Sequence, residues 1–288
     1  MKILILGHEG MLGRELHHLL SVNHDVTGRD IRDFDIASLE QCINVVGEAL
    51  PDLVINAAAY TNVDGCESNE WLCMAVNAQG VRNLVQSCQE KNLKIVHFST
   101  DYIFDGSKGE PYLEEDKPSP LNVYGRSKLE GETALRSMYS NYLLIRTAWL
   151  YGGKTRNFVV AILEKAKVNK EIQVVDDQIG SPTYVHDLAG AVKYLIEKDI
   201  KGTFHVTNRG YCSWYEFASN IIKYAGLRDV SVLPISSERL DRPARRPSFS
   251  VLSCRKFMNE TGKTMRPWQI ALKDYLEEDL RITHRMVS

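Results

Sequence analysis

No apolar run in these 288 residues approaches the roughly 18 that a membrane-spanning helix needs, so the chain is expected not to cross a membrane. Met1 to Leu6 carries no charged region ahead of an apolar stretch and a small-residue cleavage site, which argues against a secretory signal. The six cysteines (Cys42, Cys66, Cys73, Cys88, Cys212, Cys254) include no C-x-x-C pair. They read as reduced, mostly buried thiols, and the expected location is the cytoplasm. Charge of either sign is not in excess: 35 Lys and Arg stand against 37 Asp and Glu, a net charge of -2, with no basic cluster. That argues against a nucleic-acid partner. Repeats and low-complexity stretches are absent too. What remains is a composition 44% hydrophobic and 25% charged, enough to build a folded core.

Short apolar runs alternate with helical patterns through the first half. Strands are expected at Lys2–Leu6, His24–Thr27, Leu53–Asn56, Lys94–Phe98 and Tyr142–Arg146. Helices are expected at Met11–Leu20, Glu70–Glu90 and Tyr124–Arg136. This alternation implies parallel crossovers and an α/β fold with a doubly wound parallel sheet. Beyond Tyr151 the rhythm loosens. Helical patterns at 158–166, 186–197, 214–225 and 268–280 flank short strands at 172–175, 203–206 and 231–233, and the Pro- and Arg-rich piece 241–247 reads as loop. The expected organisation is a nucleotide-binding domain over 1–150 and a smaller α/β substrate-binding lobe over 151–288. Segments near 185–207 are candidates to return to the first sheet.

Gly7, Gly10 and Gly13 follow the first strand, with Met11 and Leu12 opening the first helix between them. Glycine permits the tight turn and a close approach of backbone to a pyrophosphate, and the helix N-terminus presents free N–H groups to the phosphates. Three glycines alone can make an ordinary turn, but between a strand and a helix of an alternating α/β chain the expectation is a Rossmann-type dinucleotide site. The spacing is G-x-x-G-x-x-G. Arg29 and Asp30 end the second strand where such a site reads the adenosine ribose. The acid suits a 2′-hydroxyl and the arginine a 2′-phosphate, so NADPH and NADH both stay open. Asp35 and Ile36 are candidates to flank the adenine, and Ala57, Ala58 and Ala59, past the third strand, to contact the cofactor with backbone.

Tyr124 and Lys128 stand at i and i+4 on one helical face. A hydride reaching a carbonyl carbon leaves an alkoxide that needs a proton. A tyrosine can supply it if a nearby cation lowers its pKa toward neutrality. Lys128 is expected to do that and to hold the nicotinamide ribose. Ser99 and Thr100 follow the fourth strand at the carboxyl end of the sheet, and either hydroxyl could join Tyr124 on the substrate oxygen.

With these residues the chain resembles the extended short-chain dehydrogenases/reductases, in particular the dTDP-4-dehydrorhamnose reductases. The resemblance rests on the glycine turn, Asn56-Ala57-Ala58-Ala59-Tyr60-Thr61, Ser99-Thr100-Asp101-Tyr102-Ile103-Phe104 and Pro120-Leu121-Asn122-Val123-Tyr124-Gly125 up to Lys128. It continues through Arg146 to Gly152, Asp177 to Thr183, and Arg246-Pro247 ahead of Ser250. It implies that Thr100, Tyr124 and Lys128 are the catalytic triad. It further implies that Asp101, Tyr102 and Trp149 line the sugar-nucleotide pocket, that Arg246 lies near the phosphates, and that Asn77 supports the site. The implied reaction is NAD(P)H-dependent reduction of the 4-keto group of dTDP-4-dehydro-L-rhamnose, or of another dTDP-4-keto-6-deoxy sugar, for surface polysaccharide. Some members dimerise around Mg²⁺ held by interface glutamates. Glu15 matches one such position but His186 stands at another, so no metal is assigned and a homodimer is left open.

Two other classes compete: sugar-nucleotide dehydratases and epimerases on the same fold, the epimerases sharing the Tyr/Lys pair but keeping NAD bound between turnovers, and a regulatory subunit. A dehydratase on this fold needs an acid and a base side by side after the threonine, and here Asp101 is followed by Tyr102. A non-catalytic, NADP-binding regulatory subunit would have no need of the intact Thr100, Tyr124 and Lys128.

Overall fold

Four consecutive buried residues, Ile3 to Leu6, make β1 (Lys2–Leu6) a strand covered on both faces, as in a parallel sheet enclosed by helices. The computed structural model describes residues 1–282; residues 283–288, the end of the second lobe read from the sequence, lie outside the described residues. After β1 come α1 (Met11–Leu20), β2 (Asp25–Arg29), α2 (Leu39–Ala49), β3 (Leu53–Asn56), α3 (Val63–Ser68), α4 (Glu70–Met74), α5 (Gly80–Gln89) and β4 (Lys94–Thr100). Then follow α6 (Val123–Met138), β5 (Tyr142–Thr147), β6 (Leu150–Tyr151), α7 (Phe158–Val168), β7 (Glu171–Val175), β8 (Ile179–Gly180) and β9 (Thr183–Tyr184). The rest of the described chain holds α8 (Val185–Glu197), β10 (Gly202–His205), β11 (Cys212–Ser213), α9 (Trp214–Tyr224), β12 (Ser231–Ile235), α10 (Arg255–Thr261) and α11 (Trp268–Asp274).

Six strands form one parallel sheet in the order β10-β5-β4-β3-β1-β2. The order reverses beside β1, so the glycine turn and the end of β4 lie at the carboxyl edge where open α/β sheets bind ligands. One face packs against α1 and α8 through Leu16, Leu188 and Val192. The other packs against α2, α5 and α6 through Val46, Leu84 and Leu135. β10 returns to this sheet beside β5 after α8. The remaining strands form three separate pairs: β7 with β12, β8 with β11 and β6 with β9.

The structure differs from the sequence reading at several ends. β4 runs on to Thr100, so Ser99 and Thr100 belong to the strand itself, and β2 occupies Asp25–Arg29. The helix expected over 70–90 contains a π-helical turn, Ala75–Gln79, between α4 and α5. Three helices went unread. α2 is started by Ser38, whose side chain accepts from the Gln41 amide; α3 and α10 are each a turn or two long.

Candidate functional site

The glycine turn is fixed by close contacts. Gly7 has φ +77°, and a Cβ there would sit 2.6 Å from the Ala58 nitrogen; a Cβ on Gly13 would sit 2.1 Å from the Gly7 carbonyl oxygen. Only glycine lets the loop lie on Ala57-Ala58 and lets α1 start against it. Two cavities meet at this loop, and Gly10 with Ala57, Ala58 and Ala59 lines both. One, of about 390 Å³, extends past Met11, Leu12 and Gly13 to Thr100, Asp101, Tyr124, Lys128 and Trp149. The other, of about 350 Å³, is bounded by Gly7, Asp30, Phe34, Ile36 and Leu72.

The residues read at the end of β2 part company. Asp30 faces the second cavity, its carboxylate accepting from the amides of Glu9 at 2.9 Å and Ile31 at 2.8 Å. Arg29 is not on that wall; its guanidinium donates to the Gly28 carbonyl. Ile36 is on the wall, whereas Asp35 turns away to accept from the Ala37 amide.

α6 carries Tyr124 and Lys128 and is fixed at its N-terminal turns. Asn122 caps it by accepting from the Gly125 amide at 2.8 Å, while its own amide donates to the Arg245 carbonyl at 2.7 Å. Gly125 lets the first turn touch Tyr102, where a Cβ would lie 2.1 Å from the Tyr102 carbonyl oxygen. Asn77, inside the π-helical turn and 1% exposed, donates to Ser127 Oγ at 3.0 Å and to the Tyr60 carbonyl, and accepts from the Tyr60 amide. It ties the loop after Ala59 to α6. π-Turns of this kind recur at functional sites because they re-aim a helix locally.

Of the two hydroxyls at the end of β4, Thr100 is the one beside Tyr124 and Asp101. Thr100 Oγ1 donates to Asp101 Oδ1 at 3.1 Å, and Ser250 Oγ donates to Asp101 Oδ2 at 2.5 Å. Ser99 Oγ is buried with no partner among the described residues. Burial governs the ionisation here. It pushes the Tyr124 phenol well above its ordinary value, against the opposing effect of the Thr100 hydroxyl. Burial also brings Lys128 down to about 8, against the pull of Glu132, and lifts the Asp101 carboxyl to about 7 despite its hydroxyl donors. The expectation that Lys128 lowers the phenol is therefore corrected. Both groups are desolvated, and desolvation favours the neutral form of each.

Trp149 forms the far wall with φ +48°, its indole flat on Trp214 at 3.4 Å between centroids and 6° between planes. Gly180 leaves room for it, since a Cβ there would meet the Trp149 ring at 2.4 Å. Tyr102 meets Tyr124 edge-on at 6.0 Å but is not on the cavity wall. Neither is Arg246, whose guanidinium grips Asp64 through two bonds of 2.9 and 2.8 Å. Sequence reasoning missed Trp214, taken only as a helix start, and Asn122, quoted only within a motif. The Asn–Val–Tyr–Gly run was the signal for the latter. Glu15 and His186 face each other, Oε1 to Nδ1, at 2.7 Å. Among the described residues no group of three or more His, Cys, Asp or Glu is arranged to hold a metal, and no helix is long and apolar enough to cross a membrane.

Against known proteins, a family model described as the RmlD substrate binding domain matches residues 1–281. The spore coat polysaccharide biosynthesis protein SpsK of Bacillus subtilis is 38% identical over 96% of this chain and 97% of its own. A dTDP-4-dehydrorhamnose reductase from Clostridium acetobutylicum superposes with a TM-score of 0.93 at 42% identity, covering 96% of this chain and 99% of that one. One from Bacillus anthracis, solved in complex with NADP, gives 0.93 at 39% identity over 96% and 100%.

Proposed function

The chain belongs to the RmlD family of dTDP-4-dehydrorhamnose reductases, and from its site we infer an oxidoreductase that reduces the 4-keto group of dTDP-4-dehydro-L-rhamnose with NADPH or NADH. One observation carries this reading. Thr100, Tyr124 and Lys128 stand on the wall of the same cavity that the glycine turn opens onto.

The residues fit a dinucleotide. Gly7 and Gly13 leave no space for a Cβ, Ala57 to Ala59 present backbone and small side chains, and Asp30 with Ile36 lines the adenosine side. When bound, the cofactor supplies the hydride. This chain supplies the rest. Thr100 and Tyr124 hold the substrate oxygen between two hydroxyls. Because burial keeps the phenol protonated, Tyr124 is ready to give its proton to the oxygen that becomes an alcohol. Lys128, with its pKa near 8, stands next to be drawn on and also orients the ribose. Trp149, held by Trp214 and Gly180, gives the sugar nucleotide a flat apolar face.

Asp101 is followed by Tyr102, so the adjacent acid and base that water elimination needs are not both present. The product fits nucleotide-sugar supply for surface polysaccharide. The test is a panel of dTDP-4-keto-6-deoxy sugars followed by loss of reduced-nicotinamide absorbance. Turnover with dTDP-4-dehydro-L-rhamnose supports the reading, and no turnover with any member of the panel overturns it.

A further inference from the structure

We propose that His97 is a positioning residue that holds the cofactor-facing segment Asn56–Ala59 in place, acting as a neutral imidazole with its proton on Nε2. The proposal rests on the reading of that segment and Lys128 as cofactor contacts.

His97 lies on β4, two residues before Ser99, on the sheet face that α6 covers, and is 1% exposed. Its Nδ1 is 3.2 Å from Asn56 Nδ2. The other end of that amide settles which proton is where. Asn56 Oδ1 accepts from the Ala58 backbone N–H at 3.1 Å, so a reversed amide would set donor against donor. Asn56 therefore presents its NH₂ to His97, Nδ1 must accept, and the neutral ring carries its proton on Nε2. That second nitrogen is buried without a partner among the described residues, as is Ser99 Oγ two residues along the same face.

Ionisation of the ring is opposed from two sides. It is wholly buried, and the Lys128 ammonium from α6 is the charge that bears on it. The charged or titratable groups that act on Lys128 in turn are Glu132 on the same helix and Cys73 on α4. Glu132 is itself taken up by the buried Arg146 at 2.7 Å. A protonated imidazole would place a second cation in this closed space. A neutral one lets β4 brace the Asn56 side chain, which braces the Ala58 amide, the group that a Gly7 Cβ would strike. One chain of contacts thus runs from the catalytic helix's own strand to the glycine turn.

The test uses ring-nitrogen NMR of the full-length protein, followed by two variants. His97 is expected to show a protonated Nε2 and a bare Nδ1, with no titration from pH 5.5 to 9; a ring protonated on Nδ1, or one titrating near its ordinary value, overturns the proposal. His97→Leu is expected to weaken NADPH binding, measured per folded molecule by fluorescence titration, about five- to tenfold, the equivalent of one neutral hydrogen bond. His97→Asn, whose Oδ1 can stand where Nδ1 stood, is expected to recover most of that loss. A lowered Tm in His97→Leu with NADPH affinity unchanged would show packing alone and refute the positioning role. The NMR result is read without cofactor or substrate, so failure of the reductase assignment would leave it standing, and the reverse.

Discussion

Arg246 and Asp64 form a two-bonded ion pair, at 2.9 and 2.8 Å, that fastens the Pro- and Arg-rich loop to α3. The resemblance had placed Arg246 near the phosphates, with no hint of this partner. The pair also holds the Asp64 carboxyl below its ordinary range, chiefly through the Arg246 hydrogen bonds. Its contribution is complete above the ordinary aspartate pKa and is lost as pH falls through the lowered value. We expect Arg246→Ala to lower kcat/KM for the dTDP-sugar by roughly 10- to 150-fold, the scale of a charge-assisted hydrogen bond. NADPH affinity should be unchanged. If the pair acts by anchoring the loop, Asp64→Ala costs a similar factor and the double variant little more. A double-mutant cycle in kcat/KM checks this, and simple additivity would separate the two residues.

Gly180 and Trp149 are matched in the same way. A methyl at 180 would meet the indole at 2.4 Å, and Trp214 stacked on it at 3.4 Å leaves the ring nowhere to retreat. Gly180→Ala should cost about 1–3 kcal/mol of stability, the usual penalty of overpacking, and raise KM for the sugar nucleotide. Thermal unfolding with steady-state kinetics checks both. An unchanged Tm and KM would mean that the wall is softer than drawn.

Asp101 gives a pH signature. Burial lifts its carboxyl to about 7, above the unfolded value, so it binds a proton more tightly when folded. The stability it contributes is complete below the ordinary carboxylate range and is lost as pH rises toward 7. The neutral Asp101→Asn should therefore gain on the parent chain as pH rises, with its relative Tm at pH 8 exceeding that at pH 5 by roughly 3 °C or more, about 1 kcal/mol in a chain this size. A pH-independent difference would place an ionised carboxylate in the site.

Cofactor choice should be loose. Asp30 faces the second cavity with its carboxylate already accepting two amides, and Arg29 bonds its own neighbour's carbonyl. Both NADPH and NADH are expected to support turnover, with Arg29→Ala costing NADPH more. A preference above roughly 1,000-fold, more than 4 kcal/mol, would refute this.

Much of the site was legible because local pattern encoded it. The glycines mark a backbone that touches Ala58, and the i, i+4 pair puts Tyr124 and Lys128 on one face. Alternating strands and helices gave the parallel sheet, although its six-strand order and the pairing of β10 with β5 are non-local. What was not legible depends on contacts far apart in sequence. Arg246 finds Asp64 across 182 residues, Trp149 finds Trp214, and Asn77 bonds Ser127 through a π-turn that no periodicity announces. The direction of the Tyr124 shift was misjudged for a related reason. A spacing shows that a cation is near, but not that both partners are desolvated. α2 was missed because its start rests on one Ser38 cap in a polar stretch.

The central claim is that Tyr124 delivers the proton when a dTDP-4-keto sugar is reduced. The most direct measurement is the rate of NADPH oxidation on adding dTDP-4-dehydro-L-rhamnose, run side by side in the parent chain and Tyr124→Phe at equal cofactor occupancy. The account predicts turnover in the parent and a loss of roughly 10²–10⁴-fold in the variant, with NADPH affinity retained. Near-equal rates in the two proteins would contradict it.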